Sequence, residues 1–85
     1  MASIEHKVRA VPLWLLEQYL TELGGERNHS GEIQGDGWRA RLTQEEDYQI
    51  ESLSVGQVHL ELKGNDEAIQ QVWENLEPKL QRAGA

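Results

Sequence analysis

Polar and apolar residues alternate from Ser3 to Val11, with Ile4, His6, Val8 and Ala10 on one side and Glu5, Lys7 and Arg9 on the other. A period of two with one polar face predicts a strand covered on one side only. Val11 precedes Pro12, which favours extended geometry at Val11, and Pro12 suits the first turn of a helix. The period then becomes helical. Leu13, Leu16, Leu20 and Leu23 recur at helical spacing, Leu15 and Tyr19 widen the stripe, and Gly24-Gly25 supplies the stop.

Residues 26–30, Glu-Arg-Asn-His-Ser, read as a polar connection, followed by a weak strand at Glu32, Ile33 and Gln34. Asp36-Gly37 then stands before a clear alternation of Trp38, Ala40 and Leu42 against Arg39, Arg41 and Thr43, which predicts a tight hairpin. Two readings compete for the stretch from Thr43 to Val55. Thr43-Gln44-Glu45-Glu46 matches a capping box and could open a helix. Tyr48, Ile50, Leu53 and Val55 fit better a turn over Gln44 to Asp47 and then a strand bulged near Glu51-Ser52. Gly56 is read as a turn into a last strand carrying Val58, Leu60 and Leu62. Gly64 ends that strand and Asn65 caps a second helix with Asp66 and Glu67 in its first turn. Ile69, Val72, Trp73, Leu76 and Leu80 form its apolar face. Pro78 is expected to kink or interrupt it near Asn75 to Glu77, and residues 83–85 are expected to fray.

The order is therefore β-α-β-β-β-β-α, an α+β class with a single domain over residues 1–85. An antiparallel sheet with both helices on one face buries each apolar stripe once and leaves the other sheet face wet. TATA-binding-protein-like folds use this order, and the ferredoxin-like two-layer sandwich lies close to it. Order alone implies no function.

Composition narrows the partners. The 85 residues carry 8 Lys and Arg against 15 Asp and Glu, a net charge of −7, and no cysteine. Disulfides and zinc thiolates are excluded. The acidic balance argues against nucleic acid and anionic membranes as partners, since both call for a basic surface. No run approaches the roughly 18 apolar residues of a membrane span, and no signal-peptide core opens the chain, so a cytoplasmic protein is expected.

Candidate chemistry is sparse. Gly35-Asp36-Gly37-Trp38-Arg39-Ala40 matches the dinucleotide fingerprint letter for letter. That fingerprint needs a helix after its glycines, and here a strand pattern follows. His6, His29 and His59 have no metal-ligand spacing, and the alternation puts His6 and His59 on opposite faces, so no metal or other cofactor is expected. No serine or threonine lies in a recognisable activating context. A chain this short has little room for a water-excluding pocket, so enzymatic activity is not expected.

Two surfaces remain. The polar sheet face should gather Lys7, Arg9, Arg39, Arg41 and His59, with Glu5, Gln34, Gln49, Gln57 and Glu61 among them. That is either a platform for a small anion or nucleotide, with weak catalysis as its extension, or ordinary cross-strand pairing of charges worth about 0.2–1 kcal/mol each. Single-stranded nucleic acid fits it poorly, because Trp38 and Tyr48 are expected to point inward rather than offer stacking surfaces. The second surface is Trp14, at the shoulder of the first helix, where a large exposed aromatic suits a partner interface. The preferred expectation is a non-catalytic interaction module with a protein partner or a second copy of itself, using a sheet edge or the Trp14 surface.

The segments Val8-Arg9-Ala10-Val11-Pro12-Leu13-Trp14, Gly37-Trp38-Arg39-Ala40-Arg41-Leu42, Ser52-Leu53-Ser54-Val55-Gly56-Gln57-Val58 and Pro78-Lys79-Leu80-Gln81-Arg82-Ala83-Gly84 together span nearly the whole chain. In them the chain resembles a family of short bacterial proteins classed as a domain of unknown function. That resemblance implies a complete domain and carries no activity, cofactor or site residue.

Overall fold

Gln57 to Leu62 has the cleanest period of two, and it forms the middle of the strand around which the sheet is built. The computed structural model describes residues 2–83. Its elements are β1 (Ala2–Arg9), α1 (Leu13–Glu22), β2 (Glu26–Arg27), β3 (Ile33–Gly35), β4 (Trp38–Ile50), β5 (Leu53–Gly64) and α2 (Asp66–Arg82), in the expected order. Every pairing is antiparallel, and the five strands run β1-β5-β4-β3-β2 across the sheet. Val8 of β1, Ala40 of β4 and Val58, Leu60 and Leu62 of β5 face the helices and are buried. Leu16 and Leu20 of α1 and Ile69, Val72, Leu76 and Leu80 of α2 close the same core. Burying each of these valine, leucine and isoleucine side chains is worth about 1.5–3 kcal/mol.

The local signals around the helices behave as expected. Asn65 caps α2, its side-chain oxygen accepting the Ala68 N–H at 2.8 Å. Asp36-Gly37 is a two-residue turn between Gly35 and Trp38, with Gly37 at φ 82°. Gly64 is needed for a different reason: a Cβ there would strike the Gly37 carbonyl, because the β3–β4 turn and the end of β5 pass so closely.

Several boundaries differ from the sequence reading. The chain does not turn at Gln44–Asp47 or at Gly56. β4 and β5 are one long hairpin that turns at Glu51-Ser52, with Ile50 opposite Leu53. The bulge lies between Glu45 and Tyr48, where β4 carries one residue more than β5. Residues 26–30 hold more order than a polar connection, because the Asn28 Oδ1 accepts from the Ser30 and Glu32 N–H groups at 2.9 and 3.0 Å. That side-chain turn folds Glu26–Arg27 back onto Ile33–Gln34 as β2. β1 stops at Arg9 rather than Val11. Ala10 adopts φ 66°, and this break carries Val11 from the sheet into the core. Of the three C-terminal residues expected to fray, Ala83 caps α2, while residues 84 and 85 lie outside the described residues.

Pro78 does not interrupt α2, which continues from Asp66 to Arg82. The residue whose carbonyl Pro78 cannot serve is Glu74, and both are exposed, so water can satisfy that group. Leu76 and Leu80, buried on the opposite side, hold the surrounding turns to the core. Pro78 thus sits in an exposed helix interior with nothing gained from its ring. Pro78→Ala is expected to raise the unfolding free energy by about 1–3 kcal/mol, read from urea denaturation curves.

Candidate functional site

The sheet face away from the helices is set by the odd positions of β1 and β5. Antiparallel register builds it in rows: Ser3, Lys63 and Arg39; Glu5, Glu61 and Arg41; Lys7, His59 and Thr43; Arg9, Gln57 and Glu45. Lys7, Arg9, Arg39, Arg41 and His59 therefore do share one face. They do not converge on a common point. His59 Nε2 lies 3.7 Å from Glu5, Arg41 3.9 Å from Glu32, and Lys63 3.6 Å from Glu61. Arg9 donates from Nε to the Gln57 Oε1 at 3.0 Å and lies over the Tyr48 ring at 3.8 Å from its centroid. Among the described residues, Lys7 and Arg39 make no ion pair. Arg39 borders an open cleft of about 640 Å³ at one end of the sheet, with Lys63 directly opposite it in register and Gln34, Asn65 and Asp66 around them.

The histidines are dispersed. His6 faces the helices and stacks on Trp73, ring centroids 3.8 Å apart and nearly parallel. His59 is on the open face, and His29 is in an exposed loop. Among the described residues no cluster of three metal-ligating side chains forms, and no helix is long and apolar enough to cross a membrane.

A surface that the sequence reading did not separate lies beyond the β4 bulge. Tyr48 does not point inward: the extra residue turns it to the open face and turns Gln49 away, so Tyr48 replaces Gln49 there. Past this point the hairpin has no helix beneath it, and residues from Glu46 to Ser54 are exposed on both faces. Tyr48 pairs with Val55 and Ile50 with Leu53, which puts four apolar side chains on one face of a projecting arm. Ile50 is 47 % exposed and Leu53 67 %. Glu45, Glu46, Asp47 and Glu51 accompany them, and no Lys or Arg occurs between Arg41 and Lys63. Trp14 is 65 % exposed on α1, as its place on the helix shoulder implied. The signal that could have found the arm was the parity break between Leu42 and Tyr48, combined with a run free of basic residues.

A family model of archaeal MoaD-like proteins matches residues 4–85. The chain belongs to the archaeal MoaD-like protein family. This overturns the resemblance to a bacterial family of unknown function: the segments that suggested it all lie within the span matched by the archaeal MoaD-like model. No curated protein matches this archaeal MoaD-like chain.

Ile50 and Leu53 of this MoaD-like chain are exposed and lie beyond the Arg9–Tyr48 contact, so they should matter little to folding. Ile50→Ser/Leu53→Ser is expected to change the unfolding free energy by less than about 1 kcal/mol in urea denaturation, against the 2–5 kcal/mol typical of emptying a core leucine site.

Proposed function

We propose that the chain is a non-catalytic, cytoplasmic protein-interaction module whose contact surface is the β4–β5 arm. The observation that carries this reading is the row of exposed Tyr48, Ile50 and Leu53, with half-buried Val55 beside them, on a hairpin that contributes nothing to the core. Contiguous exposed apolar surface with a polar rim is the usual mark of a contact site, and a two-stranded hairpin gains stability when something covers it. The four carboxylates flanking the row favour a partner whose apolar groove is bordered by lysine or arginine. The family name hints at a ubiquitin-like sulfur carrier, and no observation on the described residues favours that activity.

Immobilised wild-type chain should retain a protein from lysate of the native organism at near-physiological salt. The Ile50→Ser/Leu53→Ser variant should lose it while Trp14→Ala keeps it. Loss with Trp14→Ala alone would move the contact to α1 and reject the arm.

A second reading is supported by the cleft between Arg39 and Lys63: a small anion held at that end of the open face. It predicts that inorganic phosphate binds wild type measurably by calorimetry and that Arg39→Ala/Lys63→Ala weakens it at least about tenfold, as loss of charged hydrogen bonds requires. Equal heats from the two proteins would remove both cations from any site.

A further inference from the structure

The two edges of the sheet are unlike. β2 ends one side with two residues, a length that offers little to another chain. β1 ends the other with eight uninterrupted residues, free of proline and of any bulge. Edges of this kind are templates for a further strand unless charge or irregularity prevents it. β1 carries charge, but in an order that changes sign when the strand is reversed about His6, so an antiparallel copy meets it with opposite charges. Around His6 the sequence is Ile4-Glu5-His6-Lys7-Val8.

We propose that the chain forms a symmetric dimer by antiparallel pairing of two β1 strands about a two-fold axis at His6. This inference stands apart from the arm and does not need it. In that register Glu5 of each copy faces Lys7 of the other, Ile4 faces Val8, and Ser3 faces Arg9. The competing even registers are worse: centring on Glu5 opposes two carboxylates, and centring on Lys7 opposes two ammonium groups and sets Glu5 against Arg9, a guanidinium already held by Gln57 and Tyr48. Odd registers set apolar residues against the polar face and are excluded by the pleat. Lys7 has no ion-pair partner of its own among the described residues, and Glu5 reaches only His59, at 3.7 Å.

The apolar side of the edge points the same way. Ala2, Ile4 and His6 on β1 and Trp73 on α2 are only partly buried, although Ala2, Ile4 and Trp73 pack against the core and His6 stacks on Trp73. A second β1 extends the helix-covered face past this unfinished rim and brings the two His6–Trp73 stacks together across the axis. The contact is isologous, so it closes at two copies and leaves a short β2 at each outer edge.

Sedimentation equilibrium on the full chain tests this directly. Wild type is expected to show a reversible monomer–dimer equilibrium. Glu5→Lys alone and Lys7→Glu alone each replace two attractive cross-strand pairs by repulsive ones and should weaken the dimer at least about tenfold. The double variant Glu5→Lys/Lys7→Glu restores the pairs with signs exchanged and should return the dissociation constant to within about threefold of wild type. A monomeric wild type at every concentration would overturn the proposal, as would single variants that dimerise like wild type or a double variant no better than the singles. Dimer loss in Ile50→Ser/Leu53→Ser, with the edge variants unaffected, would also overturn it and would assign self-association to the arm.

Discussion

The parity of β5 is the constraint on which the rest of the molecule depends. This strand lies between β1 and β4 and pairs with both along most of its length. Its even positions, Val58, Leu60 and Leu62, are buried beneath the helices. Its odd positions, Gln57, His59, Glu61 and Lys63, define the open face. A slip of one residue would exchange the two sets, placing charges under α1 and α2 and leucines in water, so register is strongly enforced. Once β5 is fixed, Val8 and Ala40 must face inward, and Lys7, Arg9, Arg39 and Arg41 must face outward.

One extra residue then separates the body from the arm. The bulge between Glu45 and Tyr48 reverses the alternation of β4 where helix cover ends. Tyr48 emerges beside Arg9 instead of entering the core, and the guanidinium closes over its ring. Gln57, paired with Arg9 and placed 3.5 Å from Glu45, ties all three strands together at the base of the arm. Below that base the sheet is anchored by core burial. Above it, the hairpin is held mainly by its own ladder and by cross-strand contacts of about 0.2–1 kcal/mol each.

What could be read from the sequence was what is local. The leucine spacing of α1, the Asn65 cap of α2, the Asp36-Gly37 turn and the alternation of Val58, Leu60 and Leu62 each carry their signal within a few residues. The course of Gln44 to Gly56 did not. The true turn is at Glu51-Ser52, where Glu51 takes φ 55°, and it lacks the Asn-Gly or Asp-Gly pair that announces such turns. The polar run Thr43 to Asp47 resembled a turn more than the turn itself did. Membership of the open face was legible for Lys7, Arg9, Arg39, Arg41 and His59 because it follows from period alone. Their neutralisation was not, because the pair of Arg41 with Glu32 and that of His59 with Glu5 depend on which strands are neighbours.

Charge is divided between body and arm: Lys7, Arg9, Arg39, Arg41 and Lys63, five of the chain's 8 basic residues, lie on the open face of the body, while the arm holds acids alone. The arm and the β1 edge are therefore chemically distinct, and they meet at Arg9, the last residue of β1, whose guanidinium lies over Tyr48 at the base of the arm. A two-fold axis through His6, perpendicular to the sheet, would keep both open faces on the same side and send the two arms in opposite directions. Such a dimer presents two identical apolar tips at the ends of one continuous sheet. A partner with two suitable grooves, or a surface bearing many, would then be held by two linked contacts, the second made at high effective concentration. Under that arrangement, an arm whose exposed face consists of only four side chains could support tight binding without a larger interface on either copy.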